Sequence, residues 1–341
     1  MLAVVKQKAG KGWQLRTIPK PSISEGDVLL KVKMVGICGS DMAIYDGREK
    51  DIHIPVVPGH EFAGEVIDRG AAVSGIPIGG RVAVNLVKSC GRCPYCRQGQ
   101  ANLCLHTDLI GFHCDGGFAE YAAVPAANCH LLPDSMAWED GASVDPVTSG
   151  LAALKKTKIS SSDRLCIIGP GPIGLYACQI ARAEGAREIL VMGTREPRLK
   201  LAGKLGADKT YLVQAENTEG CVEEVLTDTD GRGVDIVLEA SGDAKGVNMA
   251  LGVARRGARV ALVSIYHELS VIDAIHVVSK ELKICGSYDY RWIDFEEAID
   301  LIATGRIKTK PLITHKFPLK DIQKGIRLME ERKAIKVLLE P

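Results

Sequence analysis

Between Arg164 and Ser287 the chain alternates short apolar runs (RLCIIG, EILVM, VDIVLEA, ARVALVS, LKICGS) with stretches of helical character. Such runs, bounded by turn residues, read as strands buried on both faces. The intervening helical stretches provide the crossovers that parallel strands need, since a hairpin joins only antiparallel ones. This pattern predicts an α/β unit built on a doubly wound parallel sheet. The first strand leads into Gly169-Pro170-Gly171-Pro172-Ile173-Gly174, a G-x-G-x-x-G that opens the helical stretch PIGLYACQIARAEGA. Gly169 allows a tight turn, Gly171 lets the backbone approach a pyrophosphate, and Gly174 permits close packing of helix on sheet. The helix N-terminus then favours the anion. With a strand before it and a helix after it, this loop (Gly169, Gly171, Pro172, Ile173, Gly174) reads as a dinucleotide site.

An NAD-preferring site places Asp or Glu at the end of the second strand, where it accepts from the ribose 2′-hydroxyl. Here Gly193-Thr194-Arg195 follow EILVM, with Arg198 one turn later. A small residue, a hydroxyl and two guanidinium groups suit a 2′-phosphate. The local chemistry favours NADP over NAD; the alternative for the two arginines is a solvated face of the helix starting near Pro197.

From Met1 to about Thr148 the pattern changes to short alternating runs such as VLLKVKMV and GRVAVNLV, broken by Gly and Pro, which predicts a mainly β domain. It carries SCGRCPYCRQGQANLC, in which Cys90, Cys93, Cys96 and Cys104 have the C-x2-C-x2-C-x7-C spacing of a structural zinc site. Disulfides are the competing use of clustered cysteines. A chain of 341 residues with eleven cysteines and an N-terminus, MLAVVKQKAG, without an apolar leader reads instead as reduced and cytoplasmic. Cys114, Cys129, Cys166, Cys178, Cys221 and Cys285 are scattered, mostly in apolar runs, and read as core. Past Tyr290, helical pattern in FEEAIDLIATG and LKDIQKGIRLMEE precedes a terminal strand, AIKVLLE, expected to rejoin the first domain. The expected boundaries are 1–148, with the cysteine lobe at 89–104 and completed by 291–341, and 149–290.

Composition narrows the partners. Lys plus Arg number 43 against 42 for Asp plus Glu, so no overall field draws in a nucleic acid. No run of about eighteen apolar residues is present to span a membrane.

Cys38 in GICGSD and His60-Glu61 in PGHEFAG are ambiguous alone: a single cysteine is more often a small core residue, and a His-Glu pair more often surface. Together with the four-cysteine lobe, DGGFAEYAAVP, GPGPIG and LAGKLGAD, in that order, they make the chain resemble the zinc-dependent medium-chain dehydrogenases, the alcohol, sorbitol and threonine dehydrogenase family, over nearly its whole length. The resemblance implies a Rossmann domain joined to a GroES-like, mainly β catalytic domain, and two Zn²⁺ per subunit. It implies a catalytic zinc held by Cys38, His60 and Glu61. It also implies hydride transfer between NADP(H) and a secondary alcohol (a polyol, diol or hydroxy-amino acid), giving the ketone, in a homodimer or homotetramer. Asp145-Pro146 matches the acid-proline of the polyol and threonine branch at the fourth zinc position. For Asp145, direct ligation, a water-bridged contact, exchange with Glu61 and a helix-cap role all stand open. Ser40 matches the hydroxyl that passes the alcohol proton toward the cofactor ribose, and Thr148 a residue beside the nicotinamide. Val263, Ser264, Ile265, Ser287 and Tyr288 match the strand ends crossed by the nicotinamide half.

One departure stands out: many members continue the proton relay with a histidine at position 43, which here is Ala43. The relay then ends in water reached through the ribose, or at His53. The departure argues against a strict threonine dehydrogenase and toward polyols or diols, with Ala43, Ile44, Tyr45 and Phe112 as candidate pocket residues. Two other classes remain open: a zinc-independent NADPH quinone or enoyl reductase, and a non-catalytic protein that binds NADPH and zinc.

Overall fold

The computed structural model describes residues 1–214 and 216–341. The chain divides into two compact units, Met1–Asp145 with Arg291–Pro341, and Pro146–Tyr290.

The second unit is built on a six-stranded sheet whose neighbouring pairs are all parallel. Its order is Lys209–Leu212, Glu188–Gly193, Arg164–Ile168, Val234–Glu239, Ala254–Leu262, Lys283–Gly286. Ile236, Val237 and Leu238 are fully buried, as expected of a central strand covered on both faces. Each such side chain contributes about 1.5–3 kcal/mol through burial. The sequence pattern predicts five of these strands and misses Lys209–Leu212. That strand lies at the sheet edge and buries only Tyr211, so it presents no apolar run to be read. Strand order runs outward in both directions from the pair Arg164–Ile168 and Val234–Glu239, so the topological switch point, where such sheets take up ligands, lies between their C-terminal ends.

The first unit centres on the eleven-residue strand Asp27–Ile37. One edge pairs antiparallel with Glu61–Arg69; on the other edge the first half pairs with Tyr121–Pro125 and the second half with Lys336–Glu340. The terminal strand therefore lies beside the end of Asp27–Ile37, with Val337 opposite Ile37 and Leu338 opposite Gly36. Leu338 packs with Met34 and Ala142 in a buried cluster flanked by Trp138 and Ile313. Among the described residues no helix is long and apolar enough to cross a membrane.

Candidate metal centres and dinucleotide loop

In the cysteine lobe, one sulfur of each of Cys90, Cys93, Cys96 and Cys104 lies within 4.8 Å of the others. The Cys93–Cys96 and Cys90–Cys96 sulfur separations are 3.5 and 4.0 Å. A ZnS4 tetrahedron with arms of about 2.3 Å has edges of about 3.8 Å, so these two separations fit that ion closely and all the others lie within 4.8 Å. The backbone N–H groups of Cys90 and His106 each donate to Cys104 Sγ at 3.3 Å. Backbone N–H donation from Cys96 and Leu105 pulls the Cys93 thiol down to about 6, while burial and the neighbouring thiols push Cys96 up to about 11. Crowded thiols that resist ionising together in this way are what a divalent cation would relieve.

The second cluster comes from segments distant in sequence. Cys38 follows strand Asp27–Ile37 and caps the N-terminus of helix Gly39–Asp46, while His60 and Glu61 sit at the start of strand Glu61–Arg69. The three donors lie within 4.8 Å of one another, with His60 and Glu61 4% and 1% exposed. Two features hold them there. Asp41 accepts from the Cys38 N–H at 2.8 Å and the Gly59 N–H at 3.3 Å, tying both donor loops to one carboxylate. The PGHEF segment also interlocks with DGGFAEY: the N–H groups of Gly116, Gly117 and Phe118 donate to the carbonyls of Val57, Gly59 and Pro58. Gly59 adopts φ 89°, and a side chain there would press on the Phe118 ring.

His60 Nδ1 is buried with no hydrogen-bond partner among the described residues, with Asp41 Oδ1 3.7 Å away. Burial works against charge on the ring, yet Asp41, then Cys38 and Asp145, outweigh it and hold His60 well above the usual imidazole value. An anionic pocket with an unsatisfied imidazole nitrogen and a thiol fits a borderline-soft cation such as zinc better than the all-oxygen preference of magnesium or calcium.

Asp145 is buried in the first turn of helix Val144–Thr157, not at its cap, and stands outside the tight three-donor set. Thr148 is fully buried one turn later in the same helix. Ser40 is half-buried in the first turn after Cys38. Of the candidate pocket residues, Phe112 lies 5.5 Å from the His60 ring and Ala43 and Ile44 are buried, whereas Tyr45 packs edge-on against Trp13. His53 is exposed, with Nδ1 2.8 Å from the His113 carbonyl. Of the scattered cysteines, Cys166, Cys178 and Cys221 are buried, while Cys114, Cys129 and Cys285 are half-buried.

In the other unit, Gly169 takes φ 99° and leads into helix Pro172–Ala183, whose proline at the first position suits the fixed φ there. A side chain at Gly174 would run into the Gly169 carbonyl, whereas the space above Gly171 is open, as an approaching ligand requires. Gly193 ends its strand buried beneath the Pro170 ring, leaving no room for any side chain there. Arg195 is exposed and caps helix Glu196–Lys204; Arg198 is half-buried in its first turn. Val263, Ser264 and Ile265 follow strand Ala254–Leu262, and Ser287 and Tyr288 follow Lys283–Gly286. All five therefore stand at the C-terminal ends of parallel strands, with Ile265 and Tyr288 about half exposed, at 55% and 50%.

Sequence reasoning assigned no role to Asp41 or Lys336. Lys336 is 1% exposed and its ammonium pairs with the Glu61 carboxylate. Burial opposes the charge, but Glu61, then Cys38 and Asp145, outweigh it and raise Lys336 above its ordinary value. A charged residue inside the apolar run AIKVLLE was the available signal for Lys336; Asp41 stood unremarked inside GICGSD.

Residues 24–134 match the alcohol dehydrogenase GroES-like domain, and residues 172–304 match the zinc-binding dehydrogenase domain. The chain belongs to the zinc-binding, medium-chain alcohol dehydrogenase family. Within it, the chain is 33% identical to a sorbitol dehydrogenase of Halalkalibacterium halodurans, over 100% of this chain and 99% of that protein. It is 36% identical to an L-threonine 3-dehydrogenase of Shewanella putrefaciens, over 99% of each. A solved zinc-binding dehydrogenase of Sinorhizobium meliloti 1021 bound to NADP superposes with TM-score 0.93 at 31% identity, over 100% of this chain and 99% of that one. An alcohol dehydrogenase of Escherichia coli CFT073 complexed with NADH superposes with TM-score 0.92, also at 31% identity and the same coverage. The architecture is thus the GroES-like and Rossmann pair of this family.

Proposed function

We propose that this chain is a zinc-dependent oxidoreductase that moves hydride between NADP(H) and a secondary alcohol, with polyols and diols as its substrate class. The observation that carries the reading is the convergence of a thiol, an imidazole and a carboxylate at Cys38, His60 and Glu61. Zinc bound there supplies a Lewis acid that favours the deprotonated substrate oxygen. Cys90, Cys93, Cys96 and Cys104 hold the second, structural ion.

The chain's own groups do the rest. Asp41 fixes both donor loops, and Phe112 beside the His60 ring helps exclude water. The Ser40 hydroxyl, in the first turn after Cys38, takes the alcohol proton and passes it on, and Thr148 borders the nicotinamide. With Ala43 unable to continue the relay, a bound cofactor's ribose would be what links Ser40 to water. His53 already spends Nδ1 on the His113 carbonyl, which makes it the weaker exit. Asp145, outside the tight donor set, acts on the site through its charge.

Cofactor selection rests on the end of the second strand, since the two solved relatives hold NADP in one case and NADH in the other. The Pro170 ring closes position 193 to the carboxylate an NAD site would place there. Among the described residues, Arg195 has no ion-pair partner and is available to a 2′-phosphate, with Thr194 and Arg198 beside it. The deciding experiment is a panel of polyols, diols and amino alcohols assayed with NADP and NAD in parallel, alongside zinc analysis. Turnover of a polyol or diol with NADP supports the reading. A zinc-free protein active on quinones, or a zinc-loaded one turning over no alcohol, refutes it. Arg195→Ala should raise KM for NADP roughly ten- to hundredfold, the worth of one charge-assisted contact, while leaving NAD unchanged.

A further inference from the structure

Glu239 ends the strand Val234–Glu239, beside the topological switch point of the parallel sheet. It is fully buried, and among the described residues it has no ion-pair partner; its three side-chain donors are all neutral. A carboxylate taken out of water keeps its place only while its oxygens are hydrogen-bonded. Here the two oxygens are divided between two loops. Oε1 accepts from the Ser241 N–H at 2.8 Å and from the Ser241 hydroxyl, which itself accepts from the Asp243 N–H at 3.2 Å. Oε2 accepts from the Tyr266 hydroxyl.

The first loop lies against the dinucleotide turn: a Cβ at Gly169 would come within 2.7 Å of the Ala240 carbonyl and Ser241 Cα. The second follows strand Ala254–Leu262 and carries Val263, Ser264 and Ile265. Val263 is held by its own N–H on the Glu239 carbonyl at 3.1 Å, so Ser264 and Ile265 are the residues whose position depends on the tyrosine. Tyr266 is half-buried; burial, and then Glu239, raise its phenol above the ordinary value, so the hydroxyl keeps its proton and remains a donor. Further along, Asn248 on helix Ala244–Val253 ties the same segment again, donating to the Val271 carbonyl at 2.8 Å and accepting from the Asp273 N–H at 3.0 Å. His267, Glu268 and Leu269, between the two ties, are exposed.

Sheet order gives the two loops different halves of a ligand. Glu188–Gly193 and Arg164–Ile168 lie on one side of Val234–Glu239, and Ala254–Leu262 and Lys283–Gly286 on the other. A dinucleotide laid across the strand ends, with its 2′-phosphate toward Arg195, places its adenosine half over the first pair and its nicotinamide half over the second. Glu239 stands between them.

We propose that Glu239 and Tyr266 are positioning residues that brace the two banks of the dinucleotide crevice against each other, with Tyr266 setting where Ser264 and Ile265 meet the nicotinamide half. This rests on the dinucleotide reading above.

The test uses the full-length, zinc-loaded protein and two probes: NADPH, and 2′,5′-ADP, which has the adenosine and its 2′-phosphate but no nicotinamide. Tyr266→Phe should raise the Kd for NADPH about tenfold, the lower end of what a hydrogen bond to a charged group is worth. It should also move the emission of the bound nicotinamide toward that of free NADPH. The Kd for 2′,5′-ADP should stay within about twofold, since distant sites act nearly independently; general loosening of the domain would not produce this split. Glu239→Gln, which replaces one acceptor oxygen with a donor amide, should weaken both probes, and it is read in the same assays should Tyr266→Phe not fold. Wild-type NADPH affinity and emission in Tyr266→Phe, or equal weakening of the two probes there, overturns the proposal; so does Glu239→Gln that binds NADPH as wild type does. If the wild-type protein binds NADH alone, NADH and ADP take the place of the two probes. If it binds neither dinucleotide, the dinucleotide reading itself fails.

Discussion

The cysteine lobe and the Cys38 cluster are both donor sets suited to one cation, built in opposite ways. The lobe draws four sulfurs from fifteen consecutive residues and helps itself with local N–H groups at Cys104. It is largely solvent-facing, and among the described residues no metal donor comes from outside that segment. The Cys38 cluster draws three chemically different donors from two segments distant in sequence, fixes them through Asp41, and balances their charge with a lysine from the terminal strand. A closed set of four like ligands can only hold an ion; three unlike ligands under charge compensation leave a position where chemistry can occur. On the proposed reading, local construction goes with structure and long-range construction with reactivity.

The largest break of this comparison comes from Cys38→Ser. Losing a donor to a Lewis-acid centre removes several kcal/mol of transition-state stabilisation, so kcat/KM should fall by at least about a thousandfold. Zinc content should drop by one ion per chain, with the lobe's ion retained. A variant that kept activity while losing that ion would show the cluster to be a structural site like the other.

Asp41→Asn sharpens the comparison at smaller amplitude. The amide can still accept from the Cys38 N–H, but the charge facing His60 is gone. Supporting groups of this kind are worth roughly ten- to hundredfold in metal affinity or rate. Zinc affinity at the cluster and kcat/KM should fall together by about that factor, measured by chelator competition and steady-state assay, while the lobe is untouched. Unchanged affinity would reduce Asp41 to a helix-capping group.

The same contrast explains what the sequence disclosed. The lobe was legible because its ligands are neighbours and their spacing is itself the signal. The parallel sheet was legible because its buried strands carry apolar runs, as residues 236–238 do; the edge strand Lys209–Leu212 was not, since KTYL buries only Tyr211 and offers no such run, unlike LKICGS at the other edge. For the Cys38 cluster the donors could be named only by resemblance, because nothing local to GICGSD or PGHEFAG states that the two segments meet. The Lys336 pairing was further still from view: it depends on strand order across nearly the whole chain and on the space left by Gly36. The sequence showed a small residue, Gly193, where an NAD site carries a carboxylate; that the Pro170 ring leaves no room for a side chain there is visible only in the structure.

The smallest catalytic effect is expected from the lobe, and there the comparison is most exposed. Cys93→Ser removes one of four sulfurs from a site where the ion's binding is folding free energy of its own segment. A loss of about 2 kcal/mol corresponds to roughly 4–8 °C in Tm for a domain of this size. Differential scanning calorimetry should show that drop, and metal analysis one zinc fewer per chain. The folded fraction, assayed at low temperature, should keep kcat within about twofold, because no lobe sulfur belongs to the Cys38 donor set and distant sites act nearly additively. If Cys93→Ser silences catalysis in protein that is still folded and still carries the Cys38-site ion, then the lobe reaches the chemistry through the fold, and the separation between a holding site and a reacting one is wrong.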